Sequence, residues 1–249
     1  MRITLLGSGN VATHLGKAFK QAGHEIVEIW SRTPANAKTL AIELSTRYCG
    51  EMSLLSPNAE IYIISVSDDS IREVSAKFPF RDKILIHTAG TSELNIPGLS
   101  GVFYPVQTFS KQSPVDFSNI PIAVEGINPE VSGKLLELAG TISTKVSEIS
   151  SQQRKTLHLA AVFACNFSNH LYAIADKILQ SDGLEFEMIR PLIMETAKKI
   201  QTHSARSVQT GPAIRNDQIT LRKHLEFLEN NPALRDLYER LSQSIINFD

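Results

Sequence analysis

The chain lacks most of the features that assign a function quickly. It has two cysteines in 249 residues, Cys49 and Cys165, far apart and without metal-ligand spacing. That argues against a metal centre and a disulfide framework, and both thiols are expected as buried apolar residues. An excess of one charge is also missing. The 25 basic and 26 acidic side chains leave a net charge of −1, so there is no electrostatic footprint for nucleic acid. No apolar run approaches bilayer length, and a strand predicted from residue 2 leaves no stretch for a secretion signal. These absences point to a cytoplasmic protein with neither a nucleic-acid nor a membrane partner.

A fourth absence concerns the second half. No Gly or Pro falls between Ser151 and Leu179, which predicts one long helix. Shorter helices are expected at Glu185–Thr202, Thr220–Glu229 and Pro232–Ile246, with Pro191 kinking the first of these.

What is present in the first 150 residues is a strand–helix rhythm. Strands are predicted at 2–6, 25–30, 61–66, 83–87, 101–104, 120–124 and 145–149, with a weak one at 47–49. Helices fall between them at 11–22, 34–44, 70–77 and 130–139. That order argues for an α/β fold with a doubly wound, mostly parallel sheet. We place the boundary near 150, giving a Rossmann-type nucleotide-binding domain (1–150) and an all-helical substrate and dimerisation domain (151–249).

The first strand runs into Gly7-Ser8-Gly9-Asn10-Val11-Ala12. Gly7, Gly9 and Ala12 match the three small-residue positions of a dinucleotide-binding turn. The first permits the tight turn, the second lets a pyrophosphate approach the backbone, and the third lets helix and strand pack closely. A glycine turn that binds nothing is the plainer alternative. At the end of the second strand, where NAD-binding folds place an acidic residue, this chain has Ser31-Arg32-Thr33. Arg32 can pair with a 2′-phosphate and its two hydroxyl neighbours can donate to it, so the cofactor expected is NADP. Thr33 can equally be the N-cap of the next helix. Ligands in such sheets sit beyond the carboxyl ends of the strands. Ser65, Val66, Ser67 and Asp68 end one strand, and Thr88, Ala89 and Gly90 follow His87 at the end of the next. These are further cofactor-binding candidates, although Asp68 or Asp69 also suits a helix cap.

Together these residues resemble the NADP oxidoreductase superfamily that includes pyrroline-5-carboxylate reductase, β-hydroxyacid dehydrogenases and deazaflavin-dependent NADP reductases. The nearest resemblance is to a bacterial branch with a C-terminal helical domain of unknown function. Further segments carry it: His87–Thr91, Phe103–Phe109, His158 through Asn166, and Thr210–Asp217. The resemblance implies a helical second domain, like the C-terminal domain of 6-phosphogluconate dehydrogenase, that closes over the nicotinamide and forms a homodimer. In the β-hydroxyacid dehydrogenases a lysine one turn before an asparagine handles the substrate proton. If Asn166 is that asparagine, the lysine position holds Val162, and another residue must serve.

His158, Val162, Asn166 and Asn169 or His170 share one face at helical spacing. His158 is the first candidate for general acid or base, because its ordinary pKa lies near neutrality. A hydrogen-bonded interhelical histidine is an equal alternative. Asn166 suits a carbonyl or the nicotinamide carboxamide. Tyr104 is a second candidate proton donor, beside a loop whose Gln107 suits a substrate carboxylate or amide; a purely structural loop, with Pro105 fixing a turn and Phe103 and Phe109 packing inward, is the alternative. Asn169 and Arg215 complete the substrate-binding candidates, with Asp217 as a helix cap. The reading is an NADP(H)-dependent oxidoreductase that moves hydride to or from a small C=O or C=N compound over the Ala89-Gly90 loop. The alternative is a non-catalytic NADP-binding sensor or scaffold homodimer.

Overall fold

The apolar runs form the middle of a single sheet. In the computed structural model, which describes residues 1–111 and 113–248, strands β1 (Arg2–Leu6), β2 (Glu25–Trp30), β3 (Arg47–Cys49), β4 (Ile61–Ile64), β5 (Ile84–His87), β6 (Ser100–Pro105), β7 (Ile122–Gly126) and β8 (Val146–Glu148) lie in the order β3-β2-β1-β4-β5-β6-β7-β8. All neighbours are parallel except β6 and β7. Helices α1 (Asn10–Gln21), α2 (Pro34–Glu43), α3 (Asp68–Ala76) and α4 (Pro129–Gly140) make the connections. The chain first winds outward through β1, β2 and β3, then returns past β1 to β4. The crevice between β1 and β4 is the switch point at which such sheets bind ligands.

Burial on both faces explains why β4 and β5 read as unbroken apolar strands. Ile61, Ile63, Ile84 and Ile86 point into one core layer and Tyr62, Ile64 and Leu85 into the other. Each such isoleucine contributes about 1.5–3 kcal/mol of burial energy. Glu28 is the polar exception in β2. It accepts a hydrogen bond from the Ser56 amide (2.6 Å) and sits near Arg47.

The chain divides into two compact units, Met1–Leu171 and Tyr172–Asp249. The helical pattern from Ser151 is present as α5 (Ser151–Ala161), a π-helical segment (Val162–Phe167) and α6 (Ser168–Ser181). A capping box made by Ser150 and Gln153 starts α5. In the second unit α7 (Arg190–Thr202), α8 (Gln218–Phe227) and α9 (Pro232–Ile246) follow. His224 on α8 meets the Tyr238 hydroxyl on α9 at 2.7 Å.

Three expectations need correction. Pro191 sits in the first turn of α7, where its missing N–H costs nothing, so it starts the helix rather than kinking it. Cys165 is exposed, while Cys49 is buried as expected. The shared face of residues 158–170 assumed 3.6 residues per turn throughout. The π turn, with its i→i+5 bonding, rotates everything after Val162 and breaks that register. Among the described residues no helix is long and apolar enough to cross a membrane, and no cluster of His, Cys, Asp or Glu could hold a metal ion.

Candidate active site

Close strand packing makes the glycine turn. The Gly7 amide donates to the Trp30 carbonyl (2.7 Å) and the Ser65 amide to the Leu6 carbonyl (2.8 Å), so the ladder continues past the strand ends. Gly7 has φ +133°, and a Cβ there would lie 2.2 Å from the Ser65 carbonyl oxygen. Only glycine fits. A Cβ on Gly9 would meet nothing within 4 Å, so that backbone faces open space. Ala12 is fully buried.

Beyond the strand ends lies a cavity of about 630 Å³, lined by the Gly7–Val11 turn, Ser31, Arg32, Thr33, Asn36, Ser65, Val66, Ser67, Thr88 and Lys111. Three helices begin at it, and none has a side-chain cap. The N-cap positions of α1, α2 and α3 are Gly9, Thr33 and Ser67, and none of them bonds a backbone amide of its helix through a side chain. By contrast α4, α5, α8 and α9 are capped by Asn128, Ser150, Asp217 and Asn231. Uncapped first turns leave N–H donors and the positive ends of helix dipoles facing one space, which suits phosphate. Two cations, Arg32 and Lys111, line the cavity and no carboxylate does among the described residues. The Ser65 hydroxyl is buried without a hydrogen-bond partner, a group that a bound ligand could satisfy. Ser8 donates its hydroxyl to Ser31 (3.0 Å), linking the glycine turn to the Ser31-Arg32-Thr33 segment. The donors, the cations and the space all fit a dinucleotide.

Asp68, expected among the cofactor-binding residues, does not line this cavity and is no cap either. It occupies the first turn of α3, and its carboxylate accepts a hydrogen bond from the Thr91 hydroxyl at 2.5 Å. That bond ties the loop after β5 to the first turn of α3.

Two residues beyond Thr88, the chain enters a second cluster. Ala89 is buried, and Gly90 packs directly against a ring. A Cβ at Gly90 would lie 2.5 Å from Nδ1 of His158 and 3.0 Å from Cζ of Tyr104. Tyr104 Oη and His158 Nδ1 are 3.1 Å apart. Burial, the largest of its influences, pushes the Tyr104 phenol above its ordinary value. The two proton-transfer candidates, 54 residues apart in sequence, are thus brought together.

The cluster rests on an ion pair that sequence reading missed. Arg154, on the turn of α5 before His158, is buried against the carboxylate of Glu125 on β7. Its Nη2 also donates to the Ser92 carbonyl (2.5 Å), and Glu125 accepts from the Ser151 amide and hydroxyl (3.0 and 2.8 Å). The loop after β5 is further shaped by His87. Its Nδ1 accepts from the Ala89 amide (3.2 Å), which leaves Nε2 to donate to the Glu93 carbonyl (3.3 Å). Burial, reinforced by Arg154, holds the His87 pKa down at about 4, so the ring is neutral.

Asn166 and Asn169 are exposed. Gln107 folds back to accept from the Thr108 amide (2.8 Å). Arg215 is exposed in the second unit, where Asp217 caps α8 through the Thr220 amide (3.1 Å).

Comparison with known proteins gives two family matches. Residues 2–90 match the family described as NADP oxidoreductase, coenzyme F420-dependent, and residues 120–245 match a domain of unknown function. No curated protein matches the chain. Among solved structures, a Bacteroides fragilis protein provisionally named an NADP oxidoreductase is 41% identical over 98% of this chain and 97% of its own, with a TM-score of 0.92. More distant structures share the fold. An imine reductase from Myxococcus stipitatus in complex with NADP+ is 17% identical over 98% and 93% of the two chains, with a TM-score of 0.68. The 1-pyrroline-5-carboxylate reductase of Streptococcus pyogenes is 16% identical over 100% and 99%, with a TM-score of 0.66. The chain belongs to the family in which an N-terminal NADP oxidoreductase domain of the F420-dependent type is joined to this C-terminal domain of unknown function.

Proposed function

We propose that the protein is an NADPH-dependent reductase of a small C=O or C=N compound. The convergence of three uncapped helix starts and two cations on one carboxylate-free cavity carries this reading. Arg32, with Ser31 and Thr33 beside it, is the group for the 2′-phosphate that separates NADP from NAD. Gly9 and the first turn of α1 hold the pyrophosphate.

When bound, the nicotinamide supplies hydride. The chain supplies the proton. Tyr104 gives its phenolic proton to the substrate oxygen or nitrogen while Nδ1–H of His158 holds the developing phenolate, and solvent returns a proton to Tyr104. The Tyr104–His158 pair does the proton work. The fold accommodates such chemistry, since an imine reductase and a pyrroline-5-carboxylate reductase share it.

Assembly as a homodimer through the helical region belongs to the same proposal. No residue of α6 or α7 is buried, and Phe163, Met188 and Leu192 are each more than 60% exposed. Apolar surface of that kind favours a second copy.

The deciding experiment titrates purified protein with NADPH and NADH by fluorescence, then screens small ketones and cyclic imines for oxidation of the bound cofactor. Binding of NADPH, with turnover that falls in Tyr104→Phe and His158→Ala, supports the proposal. Failure to bind either nucleotide overturns it, and full activity in both variants removes the proton assignment.

A further inference from the structure

Lys111 lies far from every motif that marks the nucleotide site, on the long connection between β6 and β7. That connection is nonetheless fastened to the glycine turn. Asn10 Nδ2 donates to the Phe109 carbonyl (2.8 Å), and His14 Nε2 donates to the Ser110 carbonyl (2.9 Å). Asn10 and His14 are one turn apart on α1, so a single helix face grips two successive carbonyls. The Phe109 ring packs against His14 at 5.5 Å and stacks on Phe117 at 5.8 Å. The next residue is Lys111, whose Nζ donates to the Ser8 carbonyl at 3.2 Å and lines the cavity together with Arg32.

A lysine ammonium has three donors. One is used on the turn's own carbonyl, which leaves donors at the point where phosphate oxygens meet the glycine turn. Asn10, in the motif itself, spends its side chain on holding this connection.

We infer that Lys111 is a cofactor-binding residue that clamps the pyrophosphate of the dinucleotide against the α1 N-terminus. This rests on the nucleotide reading above and extends it. The glycine turn supplies neutral N–H donors, Arg32 serves the 2′-phosphate, and Lys111 supplies the positive charge that the turn lacks. An ammonium there attracts the pyrophosphate common to NADPH and NADH, so it raises affinity without choosing between them.

The test compares wild type, Lys111→Gln and Lys111→Arg in fluorescence titrations with NADPH, NADH and adenosine 2′,5′-bisphosphate, which lacks the pyrophosphate bridge. Lys111→Gln is expected to weaken NADPH and NADH by the same factor, about ten- to a hundredfold, and to lower the salt dependence of binding. Lys111→Arg restores most of the loss, and the bisphosphate is affected less than either dinucleotide. Unchanged NADPH affinity in Lys111→Gln overturns the inference and leaves the site reading intact. A loss confined to NADPH also overturns it, because the lysine would then serve the 2′-phosphate. If the wild type binds neither dinucleotide, the site reading fails and the inference falls with it.

Discussion

Gly90 and His158 are in contact so close that the smallest side chain at position 90 would lie 2.5 Å from the imidazole nitrogen that meets Tyr104. The absence of a Cβ is therefore what lets the imidazole reach the phenol.

Gly90→Ala should push the imidazole out of line with the phenol. Overpacking of this kind costs about 1–3 kcal/mol, which for a chain of this size lowers the melting temperature by roughly 2–4 °C per kcal/mol. Turnover should fall more than cofactor affinity, because the cavity lining is untouched. Adding His158→Ala to Gly90→Ala should recover the stability cost, and thermal melts of the two singles and the double measure it. Strict additivity would mean that the two residues do not press on one another.

Arg154 and Glu125 give a second expectation. Removing one member of a buried ion pair strands the other, at about 3–5 kcal/mol. Arg154→Ala should reach that range in urea denaturation, since Glu125 is left beside the sheet with only Ser151 to satisfy it. The double variant Arg154→Met, Glu125→Gln should be less damaged than the sum of its singles. Because Arg154 also grips the Ser92 carbonyl, the single variant should loosen the Ala89-Gly90 loop and lower turnover as well.

His87 predicts how stability responds to acid. Its folded pKa of about 4 lies below the ordinary 6.5, so between those values the unfolded chain holds a proton that the folded chain refuses. Stability contributed by the neutral ring is therefore complete above about pH 6.5 and is lost as pH falls toward 4. The difference corresponds to about 3 kcal/mol. Urea midpoints measured from about pH 7 to 4 should fall along this slope, and His87→Gln, though less stable at neutral pH, should show a flatter profile. An unchanged slope in the variant would mean that other groups set the acid response.

Arg32→Ala should separate the two nicotinamide nucleotides. A charge-assisted hydrogen bond is worth about 1.5–3 kcal/mol, and the exposure of Arg32 favours the lower end. NADPH should bind roughly ten- to thirtyfold more weakly and NADH almost unchanged. Equal loss of both would remove the 2′-phosphate from Arg32.

The sheet was legible because its strands advertise themselves. Ile61–Ile64 and Ile84–His87 are apolar on both faces, and Gly7 and Gly9 mark where the first strand must turn. The Ser31-Arg32-Thr33 segment was legible for the same reason, since its place follows from counting one strand onward. What sequence could not show is closure across long separations. Lys111 meets Ser8 over 103 residues and Arg154 meets Glu125 over 29, and neither lies in a pattern that singles it out. Tyr104 and His158 were each visible as chemistry-bearing residues, but their contact depends on the angle of α5 against β6. The π segment at Val162–Phe167 was hidden because no Gly or Pro interrupts it, and the helical period was read straight through.

The antiparallel return of β7 and the ordering of β6 beside β5 bear on how the protein can be cut. The N-terminal family match stops at residue 90, which makes that point an inviting place to end a shorter fragment. Such a fragment would strip β6 from β5 and leave Ile84, Leu85 and Ile86 on an open edge, where an unpaired strand recruits other chains into aggregates. It would also lose Tyr104, Lys111 and His158 together. The nucleotide-binding half is therefore not a detachable cassette at residue 90, and a soluble excised form should extend to Leu171, where the first compact unit ends.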